Sequence, residues 1–221
     1  MKKIDKIVDY LIREKVSTTE VADALGKAGA ISGIEPLNRG HYQVGRIKWV
    51  YACEESNWTI HDQIKDIEEN HVIFIDSFQC FDRALVGELV CKYLFVYRRA
   101  RAVIVRGKVR DAAGLMQENW PIWCTGCNPI GCFKNKPEKD ISESLKMEYR
   151  EKYDGGIAIC DDCGVVVIPE KKADIDLLNS LYRIGKQEEI WFDRLDHYNE
   201  NTYEIVCEKK YLKDKFYMEK K

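Results

Sequence analysis

Two short polar motifs near the middle of the chain carry side chains that suit chemistry. Arg110 and Asp111 follow an apolar run at residues 102–105, and Gly87 and Glu88 lie within a stretch of apolar residues at helical spacing. A guanidinium group binds a carboxylate through two hydrogen bonds and keeps its charge at ordinary pH. A carboxylate oxygen is a preferred ligand of Mg²⁺. An isolated Arg-Asp pair is usually a solvated salt bridge, so the surrounding elements decide what these residues can do.

The elements around the two motifs are predicted to form a strand-helix-strand unit. Residues 71–76 and 102–105 are apolar and β-branched, which predicts two strands. The residues between them predict a helix that Gly87 and Glu88 open, with apolar positions at Leu85, Val86, Leu89, Val90, Leu94 and Phe95. Such a unit favours a parallel strand pair with a right-handed crossover, and ligands gather at its helix N-termini and strand C-termini. Both polar motifs are therefore expected at the same edge of the sheet.

The remaining elements follow from similar patterns. An amphipathic N-terminal helix is predicted from the spacing of Ile4, Ile7, Val8 and Leu11. We predict a second helix from Ser17, a strand at 44–53, a helix at 58–70, a short helix and strand within 111–124, a β-hairpin at 156–169 and a helix at 170–197. Residues 141–156 have weak helical and weak strand character, and both readings stay open. Strands interleaved with helices predict an α/β fold with more than one layer.

Composition excludes several classes of protein. The formal net charge of −2 gives no general reason to expect binding to nucleic acid or to a membrane surface. Apolar runs are shorter than the ~18 residues that a membrane span needs. The lysines at the N-terminus are not followed by an apolar h-region, so no secretory signal is expected and the predicted location is cytoplasmic.

The chain has nine cysteines, which are expected to be reduced thiols in the cytoplasm. Apolar surroundings predict that four are small core residues, namely Cys53, Cys80, Cys91 and Cys207. The other five include two CxxC pairs, at Cys124 and Cys127 and at Cys160 and Cys163. Such pairs are typical of a structural Zn²⁺ site. The alternative is a set of separate thiols with no metal.

The motifs described above resemble the signature of the RraA-like family. The similarity lies in GELV at residues 87–90, in VIVRGKVRDAAGL at 103–115, in the segment at 17–37 and in the hairpin ICDDCGVVVIP at 159–169. That family includes 4-hydroxy-4-methyl-2-oxoglutarate/4-carboxy-4-hydroxy-2-oxoadipate aldolases and a protein regulator of ribonuclease activity. The resemblance implies a layered β/β/α sandwich similar to the phosphohistidine swivelling domain, with N- and C-terminal helices, in homotrimers or hexamers.

The resemblance also implies a division of the chain. Residues 1–170 would form the RraA-like domain with its N-terminal helices. Residues 171–221 would form a C-terminal helical extension that packs on a neighbouring subunit. In the family's aldolases a Glu from this region reaches into the neighbour's site, which points to Glu188; a solvated helix face is the alternative.

The same resemblance assigns roles to the two motifs. Asp111 would bind Mg²⁺ or Mn²⁺, and Arg110 would bind the carboxylate or the enolate oxygen of a 2-oxo acid. Glu88 would orient a water held by the metal. The backbone amides that follow Gly87, at Leu89 and Val90, would hold a substrate carboxylate. The four histidines have no metal-ligand spacing and are expected to be structural; His61, which precedes the signature helix, is the one best placed to join the site.

The expected function is a divalent-metal-dependent lyase that forms no Schiff base. It would cleave a 4-hydroxy-2-oxo acid, or decarboxylate a β-keto acid such as oxaloacetate, through a pyruvate enolate. One alternative is a non-catalytic regulator that binds a ribonuclease or another protein. Another is a diverged member with a structural zinc site and a sugar-acid substrate, in which Arg106 and Lys108 would bind an additional carboxylate or phosphate.

Overall fold

The computed structural model describes residues 3–213, and within that range strands and helices alternate along the chain. The strands are β1 (Glu35–Pro36), β2 (Gln43–Cys53), β3 (Val72–Phe78), β4 (Ala84–Val86), β5 (Ala102–Arg106), β6 (Lys108–Val109), β7 (Ile122–Cys124), β8 (Ile157–Asp161) and β9 (Gly164–Ile168). The helices are α1 (Lys3–Glu14), α2 (Thr18–Ala24), α3 (Trp58–Gln63), α4 (Glu88–Lys92), α5 (Ala112–Gln117), α6 (Glu143–Tyr153) and α7 (Ile175–Tyr198). A π-helical turn, Tyr93–Tyr97, continues α4. The predicted α/β class is confirmed.

One large mixed sheet has the strand order β1-β7-β5-β3-β2-β8-β9, and β4 pairs with β6 in a small second sheet. Strands β7, β5, β3 and β2 run parallel, whereas β1, β8 and β9 are antiparallel to their neighbours. Val72 lies opposite Ala102 and Ile75 lies opposite Val105. The predicted parallel pair and the predicted hairpin of β8 and β9 are therefore both confirmed.

The large sheet curls until its two end strands, β1 and β9, contact each other. Across the same gap, the indole Nε1 of Trp123 on β7 donates to the carbonyl oxygen of Asp161 on β8 at 2.8 Å. Because side chains alternate across a strand, every strand sends one set of residues inside the curl and one set outside. Trp49, Phe74 and Trp123 fill the inside together with Tyr153 from α6.

Helices cover the outside of the curled sheet. Helices α3, α4 and α5 bury Ile60, Val90 and Leu115 against it, and α1, α2 and α7 cover the β8–β9 hairpin. The predicted apolar face of α1 is confirmed, with its buried side chains at Ile4, Ile7 and Leu11. Burial of each large aliphatic side chain contributes about 1.5–3 kcal/mol, so these helices are held by packing rather than by local propensity.

Three local predictions need comment. Leu85 and Val86 were expected in the helix, which is wrong, because β4 pairs with β6 and the helix begins only at Glu88. The helix predicted at 58–70 ends at Gln63, since Asn70 adopts φ +65° and donates its N–H to the carbonyl of Arg99. Residues 141–156, for which the sequence did not decide between helix and strand, contain helix α6. The Ser142 side chain caps this helix by accepting from the Leu145 N–H.

The predicted C-terminal helix corresponds to α7, which packs against α2 of the same chain. The domain boundary at residue 170 and the packing on a neighbouring subunit stay predictions. Residues 214–221, the end of the predicted extension, lie outside the described residues. No helix in the described range combines the length and apolarity needed to span a membrane.

The carboxylate of Asp161, at the end of β8, links the β8–β9 hairpin to α2 by hydrogen bonds. Asp161 accepts the Thr18 backbone N–H at 2.8 Å and the Thr18 hydroxyl at 2.7 Å. It also accepts the Cys163 backbone N–H at 2.8 Å. Ser17 and Glu20 form a capping box at the same helix end. The free backbone N–H groups at the start of α2 therefore find acceptors both within the helix and on the sheet.

We expect Asp161→Ala to lower the free energy of unfolding by about 2 kcal/mol, because three donors lose a charged acceptor. Urea unfolding followed by circular dichroism measures this loss. Asp162→Ala is the matched control, since Asp162 accepts from the exposed Gly40 N–H at 2.9 Å and its loss should cost well under half as much. Equal losses of unfolding free energy in the two variants would contradict a stabilising role for the Asp161 hydrogen bonds.

Candidate active site

The two polar motifs predicted to share an edge of the sheet do meet in the structure. The Glu88 backbone N–H donates to Oδ2 of Asp111 at 3.1 Å, and Nε of Arg110 lies 3.6 Å from the same oxygen. The Arg110 backbone N–H donates to the Val86 carbonyl at 3.0 Å. The parallel pairing of β4 with β6 produces this arrangement, because each strand ends just before one of the motifs.

Gly87 leaves the space that the Asp111 and Arg110 side chains occupy. A methyl group at this position would overlap the Asp111 carboxylate and would lie 2.8 Å from Cγ of Arg110. Asp111 has φ +58° and ψ +36°, the left-handed region that Asp tolerates better than most residues, and it precedes α5. The direction of the Asp111 carboxylate is therefore set by its own left-handed backbone and by the space that Gly87 leaves.

A cavity of about 260 Å³ opens beside these residues. Gly87, Leu89, Val90 and Arg110 line it, which places the predicted substrate-binding residues around one space. The side chains of Arg110 and Asp111 are 43% and 44% exposed, so both can be reached by a ligand. The predicted grouping of these residues is observed, while the roles assigned to them stay predictions.

The cavity also contains Asn57, His61 and Lys134. Nζ of Lys134 donates to Oδ1 of Asn57 at 3.0 Å. Burial, together with the positive charge of Arg110, lowers the pKa of Lys134. Partial burial and the charge of Lys134 lower the pKa of His61, which favours a neutral imidazole. The sequence analysis named His61 but missed Asn57 and Lys134, because they come from a loop and a helix start that carry no motif.

The carboxylates of this site suit a hard divalent ion. Asp111 supplies one, and the Glu88 side chain packs against Gly114 of α5, where an added Cβ would lie 2.5 Å from Oε2 of Glu88. Within residues 3–213 no three His, Cys, Asp or Glu side chains form a metal-binding group. One or two carboxylates fit Mg²⁺ or Mn²⁺, because such ions keep several waters as ligands.

The structure does not support the four-cysteine zinc site. Cys124 belongs to the core outside the curled sheet, whereas Cys160 belongs to the core inside it. Cys127 and Cys163 are exposed. Because the two CxxC pairs contribute to opposite faces of the sheet, they cannot share one ion. The prediction that Cys207 is a core residue is also wrong, since Cys207 is exposed on a short π-helical turn.

Arg106 and Lys108, the proposed binders of an additional anion at this site, do not line its cavity. Arg106 faces the inside of the curled sheet, where its Nε lies 3.2 Å from Oδ1 of Asp76 and its Nη2 donates to the Tyr153 hydroxyl at 2.6 Å. Nζ of Lys108 pairs with Asp82 at 2.8 Å. The reason for Arg106 is that it ends β5 of the large sheet, whereas Arg110 follows β6 of the small sheet.

Glu188 lies on α7 against α2 of its own chain. Burial and the nearby charge of Glu20 raise the pKa of Glu188. It does not line the cavity beside Arg110. A contribution to a neighbouring subunit's site stays a prediction.

Comparison with known proteins identifies the family. The profile of the RraA-like family, described as Aldolase/RraA, matches residues 18–167. The chain belongs to the RraA-like family. Both polar motifs and the β8–β9 hairpin fall inside the matched region, while α7 lies outside it. The family includes aldolases and regulators, so membership alone leaves the activity open.

Individual relatives agree with this assignment. Protein DlpA of Legionella pneumophila is 27% identical over 182 residues, which cover 78% of this chain but 29% of DlpA. The chain thus spans less than a third of that relative's length. A structure of an uncharacterized protein from Pseudomonas syringae pv. tomato has a TM-score of 0.69 at 18% identity, covering 90% of this chain and 92% of that one. Streptomyces coelicolor RraAS2, described as an unusual member of the RNase ES inhibitor RraA family, has a TM-score of 0.65 at 20% identity, with 84% and 94% covered.

We expect Gly87→Ala to separate the two motifs, because its methyl group overlaps the Asp111 carboxylate. The Glu88 amide and the Arg110 Nε–H should then shift in ¹H–¹⁵N spectra as the hydrogen bond to Asp111 is lost. Gly185→Ala is the matched control, since its Cβ would come no closer than 3.8 Å to another atom, Oε1 of Glu20. Unchanged Glu88 and Arg110 resonances in Gly87→Ala would contradict the contact.

We expect NMR titration to give His61 a pKa below its ordinary value of 6.5. Lys134→Ala should raise that pKa part of the way back, because removing a nearby positive charge favours the imidazolium while the burial remains. Lys139→Ala, which removes a lysine that does not line the cavity, should leave it unchanged. A His61 pKa at or above 6.5 in the native protein would show that the two groups are not close.

Proposed function

We propose that this protein is a divalent-metal-dependent lyase that acts on a small 2-oxo acid. It would cleave a 4-hydroxy-2-oxo acid, or decarboxylate a β-keto acid such as oxaloacetate, through a pyruvate enolate. The supporting observation is the hydrogen bond from Glu88 to Asp111, which holds a metal-compatible carboxylate next to an accessible arginine and a small cavity. Membership of a family that contains aldolases adds to this support.

Arg110 would bind the carboxylate or enolate oxygen of the substrate. Its guanidinium is half exposed, its Nη1 lies against Gly131, and it keeps its charge throughout the reaction. Backbone N–H groups in the first turn of α4, at Leu89 and Val90, lack helical acceptors and can add hydrogen bonds to the same anion. Lys134 adds a second positive charge to the cavity. These groups would favour the negative charge that develops as the carbon–carbon bond breaks.

Asp111, with Glu88 beside it, would hold Mg²⁺ or Mn²⁺. When bound, such an ion would supply Lewis-acid stabilisation of the enolate charge. Glu88 would orient a water molecule at the edge of the cavity. His61 is kept neutral by its surroundings, so its imidazole can accept a proton from a substrate hydroxyl or from that water. With the enolate charge stabilised by the bound ion, the reaction would need no Schiff base.

Exchange of the pyruvate methyl protons in D₂O tests this proposal without knowledge of the full substrate. We expect exchange that requires Mg²⁺ or Mn²⁺, stops with EDTA and falls at least about a hundredfold in Asp111→Ala, because enolate formation loses its main electrostatic stabilisation. Arg110→Lys should retain more exchange than Arg110→Ala, since it keeps the charge but loses the two-point contact. ¹H NMR of the methyl signal measures all of these rates.

The matched control is Asp82→Ala, which removes a carboxylate paired with Lys108 outside the cavity. It should exchange pyruvate protons within about twofold of the native rate, because it leaves Asp111 and Arg110 in place. Equal losses in Asp82→Ala and Asp111→Ala would point to general damage rather than a specific site. Absence of exchange, with a 4-hydroxy-2-oxo acid and oxaloacetate also left intact, would rule out the proposed lyase.

A non-catalytic regulator is the second candidate, and one observation favours it. Exposed large apolar side chains lie at or next to the cavity: Leu89, 79% exposed, lines it, and Ile130 and Phe133, 59% and 53% exposed, accept backbone hydrogen bonds from the lining residues Ala84 and Asn57. An apolar rim of this kind suits a protein partner, either another copy in the homotrimer or hexamer that we also propose, or a ribonuclease. A protein that binds such a partner and exchanges no pyruvate protons would be a regulator.

A further inference from the structure

A second cavity, of about 550 Å³, opens from the inner side of the curled sheet. The side chains of Arg106 and Tyr153 form part of its wall, and both face away from the cavity beside Arg110. Leu25, Ile31 and Val167 give it an apolar lining. Its volume is in the range of small-molecule sites, and none of its described lining residues lines the candidate active site.

Arg106 is held in a fixed direction at this cavity. The buried carboxylate of Asp76, which is 1% exposed, pairs with Nε of Arg106 at 3.2 Å and accepts the indole N–H of Trp49 at 2.8 Å. The guanidinium stacks against the rings of Phe74 and Tyr153, with its central carbon 5.0 Å and 5.1 Å from the two centroids. A guanidinium fixed on three sides presents its remaining donors without further loss of side-chain entropy.

Two lysines add positive charge that the cavity wall does not balance. Lys152 and Lys172 both line the cavity, and of its described lining residues none carries a carboxylate. The acidic residues within two positions of these lysines have other partners: Glu151 pairs with Lys171 at 2.8 Å, Glu170 with Arg46 at 3.0 Å and Asp154 with Lys48 at 3.6 Å. Asp174 accepts the Leu177 backbone N–H at 2.9 Å. Asp76 places one negative charge near both Arg106 and Lys152, so the three cations leave the wall with excess positive charge.

We propose that this cavity is a second binding site, which takes a small molecule with a carboxylate or phosphate group and an apolar body. The oxyanion contacts Lys152, Lys172 and the free edge of Arg106. The apolar body lies against Ile31 and Val167. Charge selects the anion because the wall offers cations and no competing carboxylate, and the apolar lining adds affinity in proportion to the area that the ligand buries.

Titration calorimetry with phenyl phosphate, benzoate and inorganic phosphate tests the site, with phenol as the neutral counterpart. We expect saturable binding of at least one aromatic anion, weaker binding of inorganic phosphate and none of phenol. Binding of phenyl phosphate but not benzoate would identify the ligand group as a phosphate. Binding of benzoate but not phenyl phosphate would identify it as a carboxylate. Lys152→Gln combined with Lys172→Gln should weaken binding by about tenfold for each lysine removed.

Two variants assign any binding to this cavity. Lys171→Gln removes a neighbouring lysine that pairs with Glu151 and does not line the cavity, and it should bind as the native protein does. Arg110→Ala should also bind normally, which separates this site from the candidate active site. Absence of binding by every anion would overturn the proposal. The proposal would also be overturned by equal affinity in Lys171→Gln and in the variant that combines Lys152→Gln with Lys172→Gln, or by loss of binding in Arg110→Ala.

Discussion

The hydrogen bond between the Glu88 backbone and the Asp111 carboxylate joins the two chain segments on which the candidate active site depends. It requires the parallel pairing of β4 with β6, which brings both segments to one edge. It also requires glycine at position 87, because any side chain there would occupy the place of the carboxylate. The glycine that precedes the helix start therefore also leaves the space that the Asp111 carboxylate occupies.

The curled sheet separates two groups of positively charged residues that lie close together in sequence. Arg106 and Arg110 are four residues apart. Arg106 lines the cavity inside the curled sheet (the inner cavity), whereas Arg110 lines the cavity of the candidate active site (the outer cavity). The same separation divides Cys124 from Cys160, which prevents a shared zinc ion. The chain leaves the large sheet at Arg106, the last residue of β5, and reaches Arg110 through β6 of the small sheet, so nearness in sequence does not place two residues in one site.

Electrostatics distinguishes the outer cavity from an ordinary surface cleft. Burial, together with the charge of Arg110, lowers the pKa of Lys134, and burial, together with the charge of Lys134, lowers the pKa of His61. An anion bound among them would relieve this repulsion. The inner cavity also carries excess positive charge, and its described lining residues include neither a carboxylate nor a histidine.

The sequence by itself determined the α/β class, the parallel pair β3–β5, the β8–β9 hairpin and the placement of Gly87, Glu88, Arg110 and Asp111 at one edge of the sheet. These follow from periodicity and from the rule that strand ends and helix starts share an edge, both of which are local or nearly local. Only the tertiary structure decided that Leu85 and Val86 form a strand, that Asn57 and Lys134 join the site and that Arg106 belongs to another cavity. Each of these depends on contacts between segments distant in the chain, and no spacing pattern within one segment carries that information.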